Sequence, residues 1–66
     1  MTTIKINRQE TLDRYSKQQL SDFRACLQAA TKVNNNMSRS KILMKKFGLD
    51  KFDAFHIAVA YNRYEI

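Results

Sequence analysis

Apolar residues along this chain recur at helical spacing almost from the start. Leu12, Tyr15, Leu20, Phe23, Cys26, Leu27, Ala30 and Val33 form one stripe, and Arg14, Lys17, Gln18, Asp22 and Gln28 take the other side. This pattern predicts one amphipathic helix over residues 8–33. Asn7 followed by Glu10 has the spacing of a capping box at its start. Ser16 followed by Gln19 repeats that spacing, which marks a place where the helix can break and restart. Ahead of it, Thr3-Ile4-Lys5-Ile6-Asn7 alternates polar and apolar. That is the period of a strand, so residues 3–7 read as a short strand or a frayed end.

Asn34, Asn35 and Asn36 tolerate left-handed backbone and favour a turn. A second helix follows over 38–47, with Ser38 as its N-cap and Ile42, Leu43 and Phe47 as its apolar face. Gly48 is the natural stop, with Leu49 packing back on Met44. Asp50 caps a third helix over 50–64, and Asp53 adds negative charge to its first turn. Phe52, Ala54, Phe55, Ile57, Ala58, Val59, Ala60 and Tyr61 make this helix apolar on most faces, with a narrow polar side of Asp53, His56 and Arg63. Such a helix is expected to be mostly buried, either at the centre of the domain or in a dimer interface. The predicted architecture is a single all-α domain over 1–66, a compact three-helix unit with a short N-terminal strand as an added element.

Size then limits how such a domain is held together. A chain of 66 residues buries only about 60% of its unfolded surface, and domains this small often add a disulfide, a metal or a partner chain. Cys26 is the sole cysteine and His56 the sole histidine, so neither an internal disulfide nor a two-plus-two zinc cluster can form. A partner chain remains, and a homodimer is one expectation. No apolar run approaches the roughly 20 residues that span a bilayer. The N-terminal MTTIKINRQE lacks the apolar core of a secretory signal, and with one lone thiol the expected location is cytoplasmic.

Net charge is +6, and its distribution matters more than its size. Residues 24–51 hold Arg24, Lys32, Arg39, Lys41, Lys45, Lys46 and Lys51 against Asp50 alone. Acidic residues that normally interleave a solvated lysine face are missing from 32–49. A basic segment of this kind favours an acidic or polyanionic partner. The candidate nucleic-acid contacts are Lys32, Ser38, Arg39, Lys41, Lys45, Lys46 and Lys51. Backbone N–H groups at a helix start favour an anion, the Ser38 and Ser40 hydroxyls add donors, and Arg39 can grip a phosphate with two parallel bonds. Five duplex phosphate contacts would give a log–log salt slope of about −4.5. The competing account is a solvated helix face.

The remaining residues point away from catalysis. His56 has no paired nucleophile or positioned acid in sequence, and there is no Gly-rich phosphate loop, nucleophile elbow or metal-ligand cluster. No enzyme activity and no cofactor are expected. Cys26, Met37, Met44 and the phenylalanines read as core. Tyr61 and Tyr64 suit either packing or stacking on bases.

Two families of DNA-binding protein resemble parts of the chain. Ser40 to Val59, with Gly48 between two short helices, looks like a helix-turn-helix, which implies that the following helix enters the major groove. That helix would present Phe52, Phe55 and Val59, whereas base edges are read mainly by Arg, Lys, Asn and Gln. Thr3, Lys5 and Asn7 on a strand face, with Met37-Ser38-Arg39-Ser40 opening a later helix, resemble ribbon-helix-helix repressors. That resemblance implies a strand-paired dimer, although the first helix is too long and a third follows. The function expected is a small basic nucleic-acid-binding regulator that uses phosphate contacts. The alternative is a protein-interaction module that inhibits or adapts a partner protein through its basic face or its aromatic third helix. An anionic membrane surface is the weaker third choice, because the apolar face of the basic helix is needed for folding.

Overall fold

The restart signal at Ser16 is used. The computed structural model describes residues 8–66, which form α1 (Arg8–Asp13), α2 (Lys17–Ala29), α3 (Asn36–Phe47) and α4 (Lys51–Asn62). The helix expected over 8–33 is therefore two, and the described residues form four helices rather than three. No strand occurs among the described residues. The strand expected over 3–7 lies outside them.

Local side-chain chemistry explains each boundary. Arg14 and Tyr15 donate to the carbonyls of Thr11 and Leu12 at 3.1 and 3.2 Å, closing α1 in a tight turn. Ser16 then takes extended backbone. Its hydroxyl accepts from the Gln19 N–H at 3.1 Å, and its own N–H donates to Gln19 Oε1 at 2.8 Å. Both groups exposed by the break are thus satisfied within four residues, which makes the break inexpensive. α2 stops at Ala29, short of Val33, and the Val33 N–H closes a turn on the Ala30 carbonyl at 3.1 Å. Asn35, not Ser38, caps α3. Its side-chain oxygen accepts from the Ser38 N–H at 2.8 Å, so the helix starts two residues ahead of the expected position.

Gly48 ends α3 at φ 71°, donating to the Met44 carbonyl at 3.0 Å. This is the single-bond left-handed ending. Asp50 caps α4 as expected, accepting from the Asp53 N–H at 2.7 Å. At the other end of α4 the chain turns through Tyr64, at φ 60°. Tyr64 N–H donates to the Tyr61 carbonyl at 3.1 Å and Glu65 N–H to the Ala60 carbonyl at 2.7 Å. These two bonds are a Schellman ending with tyrosine in the position that usually takes glycine. A bulky residue held there carries a strain of about 1–2 kcal/mol.

The core is built on α4. Leu43 and Ile57 are fully buried, together with Ala54, Ala58 and Ala60. Alanine at those three positions leaves no long side chain to hold neighbouring backbones apart. Leu12 from α1, Phe23 and Leu27 from α2 and Leu43 from α3 reach one cluster with Ala54, Ile57 and Ala60, flanked by Tyr15, Leu20, Leu49, Tyr61 and Ile66. Phe23 makes edge-on ring contacts with Tyr15 at 5.3 Å and Phe47 at 4.8 Å, the second of which joins α2 to α3.

Several residues expected in the core are outside it. Met37 and Phe52 are 66% and 67% exposed, Phe55 is 47% exposed, and Met44 and Phe47 lie near the surface. Cys26 is half-buried. Three helices cover only part of the circumference of α4, and its Phe52, Phe55 and Val59 side faces outward.

Leu43→Ala should cost about 2–5 kcal/mol in urea denaturation, through lost transfer energy and a cavity. Gly48→Ala should cost only about 1 kcal/mol, since open space surrounds that position and its left-handed φ is the sole obstacle. A Gly48→Ala loss as large as that of Leu43→Ala would contradict this account of the two positions.

Candidate functional site

α1 and α4 run antiparallel along a polar seam. Arg8 sits at one end, donating through Nε and Nη2 to the two Glu65 oxygens at 2.9 and 2.8 Å. In the middle, Thr11 Oγ1 and His56 Nδ1 share a hydrogen bond of 2.6 Å. At the far end Arg14 pairs with Asp53, whose second oxygen accepts from the Tyr15 hydroxyl at 2.6 Å. The Schellman turn at Tyr64 is what swings Glu65 back toward Arg8. The paired guanidinium holds the Glu65 carboxyl below its ordinary range, chiefly through those hydrogen bonds. Burial, and then the bond to Asp53, push the Tyr15 phenol up to about 12.

The seam decides which charges remain free. The ion pairs among the described residues join Arg8, Arg14 and Arg63 to Asp53 and Glu65. None includes a lysine. Lys32, Lys41, Lys45, Lys46 and Lys51 are all exposed. They do not form one surface, however. Lys41 and Lys45 are four apart on the outward side of α3, and Lys46 is turned by about 100° from Lys45. Lys32 lies in the turn between α2 and α3, and Lys51 opens α4.

The Arg39 and Ser40 side chains bond within the fold, whereas Ser38 bonds through its backbone N–H alone. Arg39 Nη1 donates to Asn62 Oδ1 at 3.0 Å, and its guanidinium stands over the Tyr61 ring at 5.3 Å. Ser38 is half-buried behind the Asn35 cap. The Ser40 hydroxyl donates to the Met37 carbonyl at 2.7 Å.

A second feature was legible only as an alternative. Between α1, α3 and α4 runs a groove of about 480 Å³ whose apolar wall is Met37, Phe52, Phe55 and Val59. Ser40 and His56 form part of its lining, with Arg8 and Lys51 at its margins. On α4, residues 52, 55, 56 and 59 share one face, as the i, i+3, i+4, i+7 spacing requires. On α3, Met37 and Ser40 reach the groove, and Lys51 at the start of α4 is the exposed lysine that lines it. Read alone, the apolar run of α4 signals burial. The fact that one stripe stays open depends on how many helices pack around it. Among the described residues no group of three His, Cys, Asp or Glu side chains is placed to hold a metal. No helix among them is long and apolar enough to cross a membrane.

The Tyr15 bond has a pH consequence. A phenol that ionises at about 12 in the folded chain, against 10.0 ordinarily, keeps its proton longer when folded. Its stabilising contribution is complete below pH 10 and disappears as pH rises toward 12. Asp53→Asn should move the Tyr15 ionisation back toward 10, read by ultraviolet absorbance of phenolate; an unchanged titration would remove Asp53 as a cause. The chain matches no protein-family model, no curated protein and no solved structure, so its function is argued from this geometry.

Proposed function

We propose that this protein is an interaction module that binds an acidic amphipathic helix of a partner protein in the α1–α3–α4 groove. The observation that carries the reading is the convergence of Met37, Phe52 and Phe55, each about half exposed or more, on one groove. A contiguous apolar surface of this kind on a small domain usually marks a binding site. A helix laid in the groove would present apolar residues at i, i+3 or i+4 and i+7 to Phe52, Phe55, Val59 and Met37. Its acidic residues would meet Lys51 at the groove margin, which has no carboxylate of its own among the described residues.

Charge chooses between an acidic partner and a second copy of this chain. Two copies joined groove to groove would each bring a net +6 and set the Arg8 and Lys51 margins against one another. Like charges across an interface are costly, whereas a complementary rim also speeds encounter. In this reading the protein adapts or inhibits the protein that supplies the helix.

The test uses fluorescence anisotropy with labelled helical peptides that carry Leu at i, i+4 and i+7 and Glu on the remaining faces. The acidic peptides should bind, and peptides with every Glu replaced by Lys should not. Phe52→Ala and Phe55→Ala should each weaken binding roughly tenfold or more, as central anchors do, with helicity by circular dichroism retained. Equal binding of the acidic and basic sets would refute the charge argument.

A second reading rests on the exposed, unpaired lysines: contact with the phosphates of a nucleic acid. It predicts binding of random duplex at low salt with a log–log slope of about −4.5 for five contacts. Lys45→Glu together with Lys46→Glu should weaken it uniformly across sequences. Duplex binding unaffected by that pair of changes would remove the α3 lysines from the interface.

A further inference from the structure

At the C-terminal end of α4, the closing turn meets α2 and α3. There Arg24, Gln28, Arg39, Tyr61, Asn62 and Tyr64 line a cleft of about 390 Å³, with Ile66 at its edge. It shares no residue with the apolar groove. We propose that this cleft is a nucleotide-binding site, with the phosphate held between Arg24 and Arg39 and the base stacked on the Tyr64 ring.

Charge is the first reason. Two guanidinium groups line one small cleft, and no ion pair among the described residues reaches either of them. Glu65 lines the adjoining cleft with Arg24. Its carboxylate is already taken by Arg8 at 2.8 Å and Arg63 at 3.6 Å. Two cations brought together without a counter-charge favour an anion between them, and the guanidinium fork suits a phosphate with two parallel bonds.

Arg39 is held in position. Its Nη1 is occupied by Asn62 Oδ1 at 3.0 Å and, more weakly, by Asn36 Oδ1 at 3.5 Å, and its plane stands over Tyr61. Nε and Nη2 keep their donors for a ligand. A side chain already ordered by three neighbours loses little freedom on binding.

Tyr64 is the second reason. It is 94% exposed, so packing does not account for it, yet it occupies a backbone conformation that suits glycine. Strain of this sort tends to gather where a side chain serves binding. An exposed ring over an arginine-lined cleft is a stacking platform for a base. Gln28 adds a free amide, and Asn62, whose oxygen faces Arg39, keeps its NH₂ donors. These amides match the donor and acceptor edges of a base. A phosphorylated tyrosine side chain would fill the ring position but leave the amides unused, which is why a nucleotide is favoured. The volume is within the range of small-ligand sites.

The test is titration of the full chain, followed by chemical shifts of backbone amides, with the four nucleoside 5′-monophosphates, adenosine, inorganic phosphate, phosphotyrosine and a 5′-phosphorylated hexanucleotide. Saturable binding of at least one monophosphate is expected, with shifts centred on Arg24, Arg39 and Tyr64, and with adenosine and inorganic phosphate each far weaker. Arg24→Ala, which breaks no ion pair among the described residues, should weaken it roughly tenfold, the value of one charge-assisted bond. Tyr64→Gly should raise the melting temperature by relieving the backbone while weakening nucleotide binding several-fold. No stability defect can produce that pair of changes. Lys45→Glu with Lys46→Glu should leave it intact. Tighter binding of the hexanucleotide would assign the ligand to a strand end and equal binding to a free nucleotide; both support the site. Inorganic phosphate or phosphotyrosine binding as well as the monophosphates, full affinity in Tyr64→Gly, or no saturation at millimolar nucleotide would overturn it.

Discussion

The structure depends on the close approach of other helices to one side of α4. Ala54, Ala58 and Ala60 are fully buried beside Ile57, and their single methyl groups set how near α1, α2 and α3 can come. In a chain of 66 residues there is little apolar surface to spare, so one tightly packed face must supply most of the burial. Larger side chains at those positions would force the helices apart and strain the core around Leu43. The same economy leaves the opposite side of α4 uncovered. Its Phe52 and Phe55 are therefore available as a surface, and the groove is the complement of the core.

Polar contacts give this packing its orientation. Apolar burial alone does not specify which end of α1 lies beside which end of α4. The seam from Arg8–Glu65 through Thr11–His56 to Arg14 and Tyr15 on Asp53 does so, since each pair can form only in the antiparallel arrangement. The exposed pairs contribute little to stability individually. Their larger effect is on charge. By committing Asp53 and Glu65 to arginines, the seam leaves the lysines of α3 and the start of α4 without local counter-ions. An apolar groove with Lys51 unpaired at its margin follows from the same arrangement, and so does a pair of arginines without ion pairs near the C-terminal turn.

Helix endings place the other cleft. The Gly48 turn sets α4 against α3, and the turn at Tyr64 folds the last residues back over the end of α4. Because Tyr64 occupies a glycine-like conformation, its ring is thrown outward, while Tyr61 one turn earlier stays beneath Arg39. Two aromatic rings close together in the chain thus have different environments: one orders a cation, and the other faces solvent. The groove and the cleft share no lining residue.

Much of the helical plan was legible along the chain, because caps and stops are local. Ser16 with Gln19, Gly48 and Asp50 all act through bonds within four residues, and each is used. The errors at Ser38 and over 30–33 were also local, since three adjacent asparagines offer competing caps and the stripe through Ala30 and Val33 continues past the true end of α2. Helix periodicity identified α4 as central, but it could not say which of its apolar residues would be covered, because that depends on the number of helices packed around it. Nor could spacing anticipate that Arg39 would turn inward to Asn62, 23 positions away, while Lys41 and Lys45 stayed in solvent. Sequence by itself marked the helical segments, the caps at Ser16 and Asp50, the stop at Gly48 and the excess of positive charge, the caps and the stop because they depend on neighbours a turn or less apart. Tertiary structure alone decided which acids neutralise which cations, which side of α4 stays bare and which arginines meet, because those outcomes require distant residues to be brought together.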